Sequence, residues 1–195
     1  NRDILDKFGL DAPETYEDLL KPEYRGLIAM PDPKSSGTGY FFYKNWVNLW
    51  GEEKALAYVD ALYENLKQFT ESGSGPVKLL RQGEIAIGLG LTFQAVTEIN
   101  DNQPFAIIYP PEGSPYSLTG TAMVATHEDK TGVQEVYDFI IHDFLAYDKA
   151  HFSPETIYHG QVNELPNYPQ QIRYADMTGI QQIQEKERLL ALWKY

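Results

Sequence analysis

The stretch GLIAMPDPKSSGTGYFF, residues 26 to 42, contains the pattern from which we predict the fold. It begins with the apolar run GLIAMP (26–31), which ends in proline and is typical of a buried strand. The small and hydroxyl-bearing residues SSGTG (35–39) follow, and an aromatic run then begins a predicted helix that Gly51 ends. A strand, a glycine-containing turn and a helix in this order are typical of an α/β sheet with parallel strands.

The same alternation continues along the chain. Apolar runs bounded by turn residues predict further strands at 69–70, 85–91, 104–110 and 119–126. Helical spacing and terminal glycines predict helices at 3–8, 52–66, 76–82, 93–99, 131–147 and 177–194. Thr15 and Asp18, three residues apart, predict a capping box. The fold class predicted is therefore α/β, a mostly parallel sheet flanked by helices.

The composition limits the classes of function. The chain has 195 residues, 43% of them hydrophobic, which is enough for one sizeable core. Its net charge of −12 disfavours binding to nucleic-acid backbones. The absence of cysteine excludes disulfides, thiolate metal sites and thiol nucleophiles. The first residues, NRDILDKFGL, read like the middle of a domain, so we expect the chain to be a fragment.

Three loops lie where an α/β sheet binds ligands, beyond the carboxyl ends of strands. They are residues 35–39, 72–75 and 91–94. In the first two, glycines and hydroxyls precede a helix, whose N-terminus carries about half a positive charge and unpaired N–H groups. This pattern favours an anion site, whereas the alternative is that these residues only cap helices.

Other candidate residues give weaker signals. The four histidines show no metal-ligand spacing, so we predict no metal site and no cofactor. A hydrolase using Ser36 or Ser74 is disfavoured because no nucleophile-elbow motif occurs. Glu112, in the turn PPEGSP, follows a predicted strand and is either a solvated turn residue or a ligand contact.

The order of these segments resembles a known family. TYEDLLKPEYRGLIAMPDPKSSGTGYFF, then GEEKALAYVDALYENLKQFTESGSGPVKLLRQGEIAIGLGLTFQA, then IIYPPEG, are similar to family 1 extracellular solute-binding proteins of ABC importers. The nearest branch contains ferric-ion, phosphonate and sugar-phosphate binders, and the resemblance runs from about residue 1 to 147. It implies a periplasmic-binding-protein-like lobe in a two-lobed clamshell. Residues 1–195 would be the single second lobe, and residues 119–147 would return towards a missing first lobe.

The resemblance also implies which residues bind the ligand. The positions that match the family's cleft loops are Ser35, Ser36, Gly37, Thr38, Ser72, Gly73, Ser74, Thr92, Phe93, Gln94 and Glu112. Ferric-ion members carry a Tyr-Tyr pair after the AIG strand, but residues 91–94 read Leu-Thr-Phe-Gln here. This departure disfavours iron coordination by phenolates.

The function implied is that of a non-enzymatic, monomeric substrate-binding component of an ABC importer. It would capture a small anionic solute, phosphorylated or phosphonate, outside the cytoplasm, in the periplasm or as a cell-surface lipoprotein. Its partners would be that solute and a membrane permease, and it would bind no nucleic acid. Two alternatives stay open at this point, a binder of ferric ion or an iron complex and an effector-sensing regulatory domain.

Overall fold

The chain forms two compact units in the computed structural model, which describes residues 1–127, 129–152, 157, 159–160 and 164–195. The first unit combines Asn1–Ser117 with Gln171–Tyr195, and the second is Leu118–Gln170. That all 195 residues are one lobe, and that 119–147 return towards another lobe, stay predictions.

A parallel sheet forms the centre of the first unit. Its strands in the described residues are β1 (Ile28–Pro31), β2 (Leu66–Thr70) and β3 (Ile87–Gly88), in the order β2-β1-β3. Both pairs are parallel. All four residues of β1 are buried, as expected for a central strand covered on both faces. The predicted α/β class with a parallel sheet is confirmed.

Helices flank this sheet, and the described part of the second unit also contains helices. They are α1 (Arg2–Phe8), α2 (Gly37–Trp50), α3 (Glu52–Tyr63), α4 (Gly75–Arg81), α5 (Thr92–Asn100), α6 (Val133–Phe139), α7 (Leu145–His151) and α8 (Ile183–Leu192). A π-helical turn, Ile140–Phe144, joins α6 to α7. Short 3₁₀ turns lie at Glu17–Leu20, Pro22–Tyr24 and Ala125–His127. None of the described helices is both long enough and apolar enough to cross a membrane.

Local sequence signals account for several helix ends. Gly9 ends α1 with a left-handed backbone, φ 63°, which glycine adopts at little cost. The predicted capping box is confirmed by reciprocal bonds. The Asp18 N–H donates to Thr15 Oγ1 at 3.1 Å, and the Thr15 N–H donates to Asp18 Oδ2 at 2.9 Å.

An aromatic core holds α2 and α8 against the sheet. Trp46 is fully buried, and its ring centroid lies 4.9 Å from that of Tyr58. Tyr43, also fully buried, lies 5.1 Å from the Trp193 ring and donates its hydroxyl to the Leu189 carbonyl at 3.3 Å. The carboxyl-terminal segment is therefore an integral part of the core of the first unit.

Two predicted strands were wrong. Residues 104–110 and 119–126 contain no strand, although both are apolar runs. A strand requires a neighbouring strand for its backbone hydrogen bonds, and neither segment has one in the described residues. The apolar side chains near the second segment are also solvated, with Leu118 at 74% and Val124 at 63% exposure.

Two helices and one strand were predicted correctly in type but begin or end at other residues than predicted. The helix predicted at 177–194 begins only at Ile183, because Gly179 adopts φ 83° and Asp176 Oδ1 accepts the N–H of Thr178 in a turn. The helix predicted at 131–147 extends to His151 and contains the π-helical turn. The strand predicted at 85–91 keeps only the residues of β3.

Candidate functional site

The start of α2 lies at the carboxyl end of β1. Ser36 is the N-cap residue with extended backbone angles, φ −126° and ψ 127°, and its carbonyl accepts the Tyr40 N–H at 3.1 Å. Its side chain is buried but makes no capping hydrogen bond. The first-turn N–H groups at Gly37 and Thr38, which have no partner within the helix, are therefore not satisfied by the N-cap side chain.

Gly39 allows this helix start to pack directly on the end of β1. A Cβ atom at Gly39 would lie 2.6 Å from the Asp32 carbonyl carbon and 2.7 Å from the Pro33 nitrogen. Both are backbone atoms that cannot move aside as a flexible side chain could. The glycine thus fixes how close the first turn of α2 lies to residues 31–33.

The loops 35–39 and 72–75 are in direct contact. A Cβ atom at Gly73 would lie 2.9 Å from the Thr38 Cβ and closer still to Thr38 Oγ1. The Asp32 N–H also donates to the Thr70 carbonyl at 2.9 Å, which joins the ends of β1 and β2. The structure therefore brings these two predicted loops together.

Hydroxyl groups are concentrated in the second loop. The Thr70 hydroxyl donates to the Ser72 carbonyl at 2.9 Å, and the Ser72 and Ser74 Oγ atoms lie 3.1 Å apart. Ser74 is the N-cap residue of α4, yet it makes no side-chain cap bond. One of these two hydroxyls therefore donates to the other, and the accepting hydroxyl can donate its own proton to a ligand oxygen.

The third loop and the first both contribute to the lining of one cavity. Thr92, the first residue of α5, and Thr38 both line a cavity of about 420 Å³ within the first unit. Phe93 is 38% exposed, and Gln94 Oε1 is buried with no hydrogen-bond partner in the part of the chain described. Neither of these two residues lines the cavity.

The walls of that cavity are largely apolar, and the sequence analysis did not assign them to a site. They include Leu5, Leu19, Phe41, Phe42, Leu89, Phe105 and Ile108. Their apolar character was visible in the sequence, but only the folded chain places α1, α2, β3 and residues 105–110 around one space.

Glu112 contacts the backbone of Tyr16, far from the three loops in sequence. Its Oε1 accepts the Tyr16 N–H at 3.3 Å, while its Oε2 is buried without a hydrogen-bond partner among the described residues. The Tyr16 hydroxyl donates to the Gly113 carbonyl at 3.0 Å and accepts from Asn45 Nδ2 at 3.1 Å. Burial raises the pKa of Tyr16 well above its usual value. The role of Glu112 as a ligand contact stays a prediction.

The charges around the first two loops are few. Lys34 precedes the first loop, and its Nζ lies 3.5 Å from the Tyr195 carbonyl oxygen. In the described ranges, no three His, Cys, Asp or Glu side chains are grouped so that they could hold a metal ion. An anion at these loops would therefore be bound chiefly by N–H and hydroxyl donors, which need no cationic side chain.

Two solved structures share this fold. One is a periplasmic binding protein named P5PA, and the other is the periplasmic binding protein AfuA from Actinobacillus pleuropneumoniae with exogenous fructose-6-phosphate bound. Each matches with a TM-score of 0.78 and 26% sequence identity, over 99% of this chain and 63% of the other. The chain has a periplasmic-binding-protein-like fold.

Sequence comparison points to the same group of proteins. A protein of Haemophilus influenzae, described as uncharacterised, is 33% identical over 125 residues, which are 64% of this chain and 36% of that protein. The chain thus spans less than two thirds of the length of these relatives. The family model described as bacterial extracellular solute-binding protein matches residues 1–176, and the chain belongs to this family.

Proposed function

We propose that the chain is the second lobe of a substrate-binding component of an ABC importer, and that it binds a small phosphorylated or phosphonate solute. The contact between Gly73 and Thr38 carries this proposal, because it joins two hydroxyl-rich loops at the start of a long helix. The membership in the solute-binding family supports the transport role. AfuA, a structural relative, was solved with fructose-6-phosphate bound, which supports the phosphorylated class.

The phosphoryl group would lie at the N-terminus of α2. Its oxygens would accept from the N–H groups of Gly37 and Thr38 and from the hydroxyls of Ser35 and Ser36. The α2 dipole stabilises negative charge at this end, so local donors outweigh the net charge of −12. Ser72 and Ser74 would donate from the second loop, with Gly73 allowing the close approach.

The remaining predicted residues would contact the rest of the solute. These are Thr92, Phe93, Gln94 and Glu112. Thr92 shares the cavity with Thr38, which supports its place beside the anion. Binding energy would be used to close two lobes on the solute, and no bond of the solute would be broken.

The cellular setting follows from the same proposal. The protein would act outside the cytoplasm as a monomer, free in the periplasm or anchored as a lipoprotein, and would deliver its solute to a membrane permease.

Isothermal titration of the full-length protein tests the solute class. The ligands are fructose-6-phosphate, inorganic phosphate, methylphosphonate and ferric citrate, with fructose as the uncharged control. We expect heat from a phosphorylated or phosphonate compound and none from fructose. Heat from ferric citrate alone would replace the proposal with an iron binder. A DNA-binding segment in the full-length sequence would favour the regulatory alternative instead.

A further inference from the structure

A cavity of about 420 Å³ adjoins the proposed anion site within the first unit. Thr38 belongs to both, because it lies in the loop 35–39 and also lines the cavity. Thr92, the first residue of α5, lines the cavity as well. β1 and β3 are parallel, so the loops that follow these strands lie at the same edge of the sheet. A solute held at the loop 35–39 therefore has this cavity beside it.

Apolar residues make up most of the cavity wall. They include Leu89 and Phe105, which are buried, and Ile108, which is 41% exposed. The charged residues in the lining, Arg2 and Glu14, are exposed to solvent. A polar group that moves from water to such a wall loses its hydrogen bonds unless the wall replaces them. The wall therefore favours an apolar occupant.

Several polar groups of the lining residues are already paired within the chain. The Thr15 Oγ1 accepts the Asp18 N–H at 3.1 Å, and the Tyr16 hydroxyl donates to the Gly113 carbonyl at 3.0 Å. The N–H and the carbonyl of Ser114 both bond to other backbone groups, at 2.8 and 2.9 Å. The hydroxyls of a sugar ring would thus find few new partners in this cavity, whereas an apolar ring needs none.

We propose that the solute is a phosphonate or a phosphate ester with an aromatic body, and that this body lies in the cavity. The inference rests on the proposed function, to which it adds the chemistry of the second half of the solute. Apolar cavities of roughly 150 Å³ bind benzene, so the volume here accepts a single aromatic ring. Ring-to-ring contacts favour an aromatic body over an aliphatic one. The aromatic lining residues are Tyr16, Phe41, Phe42, Phe105 and Tyr109.

The arrangement of the two parts gives the solute one orientation. Its charged group would lie at the start of α2, beside Thr38, and its ring would extend towards Phe41 and Phe105. A neutral aromatic compound would lack the charge that the α2 N-terminus stabilises. A sugar phosphate would retain that charge but would place hydroxyl groups against apolar walls. Only a solute with both parts would use the loops and the cavity together.

Isothermal titration of the full-length protein with phenylphosphonate and methylphosphonate tests the aromatic body, because the two compounds differ only in the group on phosphorus. We expect phenylphosphonate to bind about a hundredfold more tightly, since its ring leaves water for the cavity. Fructose-6-phosphate should bind more weakly than phenylphosphonate. Equal affinities for the two phosphonates, or tighter binding of fructose-6-phosphate, would overturn this inference and leave the proposed function standing. An absence of heat from all three compounds and from phosphate would overturn both.

A substitution that fills the cavity tests where the ring lies. Ala95 of α5 lines the cavity, so Ala95→Phe would occupy part of it. We expect the affinity for phenylphosphonate to fall tenfold or more, and the affinity for methylphosphonate to fall much less. Ala61→Phe is the matched control, because Ala61 is exposed on α3 and lies outside the cavity lining. Undiminished binding of phenylphosphonate by Ala95→Phe would place the ring elsewhere and overturn the inference.

Discussion

Gly73 lies so close to Thr38 that a methyl group at position 73 would have its carbon 2.9 Å from the Thr38 Cβ. Real Cβ atoms essentially never approach a non-bonded heavy atom of a distant residue more closely than about 3 Å, so one of the two loops would have to shift. The relative position of the loops 35–39 and 72–75 thus depends on the absence of a side chain at position 73.

The substitution Gly73→Ala is expected to separate these loops. We expect the affinity of the full-length protein for a phosphorylated solute to fall by about tenfold, a loss of roughly 1.4 kcal/mol. The free energy of unfolding should fall by about 1 kcal/mol. Isothermal titration and urea unfolding measure the two effects.

Gly120→Ala is the matched control, because a Cβ atom there has no neighbour within 4 Å. It should change neither the affinity nor the stability. Unchanged affinity of Gly73→Ala together with lower stability would mean that the contact serves packing alone.

Ser36, which we propose to contact the solute, and Thr15, which caps a turn, form a matched pair of hydroxyl residues. The Ser36 side chain makes no capping bond, whereas the Thr15 Oγ1 accepts the Asp18 N–H. Ser36→Ala should therefore weaken solute binding with little change in the free energy of unfolding. Thr15→Ala should lower that free energy by about 1 kcal/mol and leave binding intact. Urea unfolding of both variants, beside titration with the solute, checks the pair. A loss of stability in Ser36→Ala equal to that in Thr15→Ala would return Ser36 to the role of a cap.

Local sequence signals were sufficient for the parts of the fold that depend on neighbours in the chain. The run 26–31 predicted β1, and the aromatic run ended by Gly51 predicted α2. The Thr15–Asp18 capping box was likewise visible, since all its atoms lie within four residues. These features depend on periodicity, terminal glycines and hydroxyl spacing, which a single sequence contains.

The features that the sequence predicted wrongly or did not reveal depend on contacts between residues far apart in the chain. Residues 104–110 have strand-like composition, but no strand lies beside them in the described residues, so the prediction of a strand was wrong. The contact of Gly73 with Thr38 joins residues 35 positions apart, and no local pattern encodes it. The hydroxyl-rich loops were predicted separately, while their contact required the parallel pairing of β1 with β2.

Alanine substitutions at Gly39 and Gly37, both in α2, should have different effects on the free energy of unfolding. Gly39→Ala would place a Cβ atom against the backbone of Asp32 and Pro33, and should lower the free energy of unfolding by about 2 kcal/mol. At Gly37 a Cβ atom would meet only the Phe41 ring, at 3.9 Å. Gly37→Ala should leave stability unchanged or raise it by about 0.5 kcal/mol, because alanine loses less entropy in a helix. Thermal and urea unfolding measure both variants. Equal stability of the two would contradict the close packing at Gly39.

Alkaline pH should destabilise the chain through Tyr43. Burial, reinforced by the nearby Glu52 carboxylate, raises the pKa of Tyr43 to about 12. An unfolded tyrosine ionises with a pKa near 10. Between these values the unfolded state releases a proton that the folded state keeps, so the stability present below pH 10 is lost as the pH rises towards 12. Urea unfolding at intervals across this window should show a steadily falling midpoint.

Tyr43→Phe is the matched variant for this pH effect. It removes the ionisable hydroxyl and its bond to the Leu189 carbonyl, so its stability at neutral pH should be lower by about 1 kcal/mol. Its midpoint should then fall less steeply between pH 10 and 12 than that of the unsubstituted chain. The slope should not vanish, because burial also raises the pKa values of Tyr16 and Tyr58. Identical slopes in the two proteins would show that Tyr43 contributes nothing to the alkaline transition.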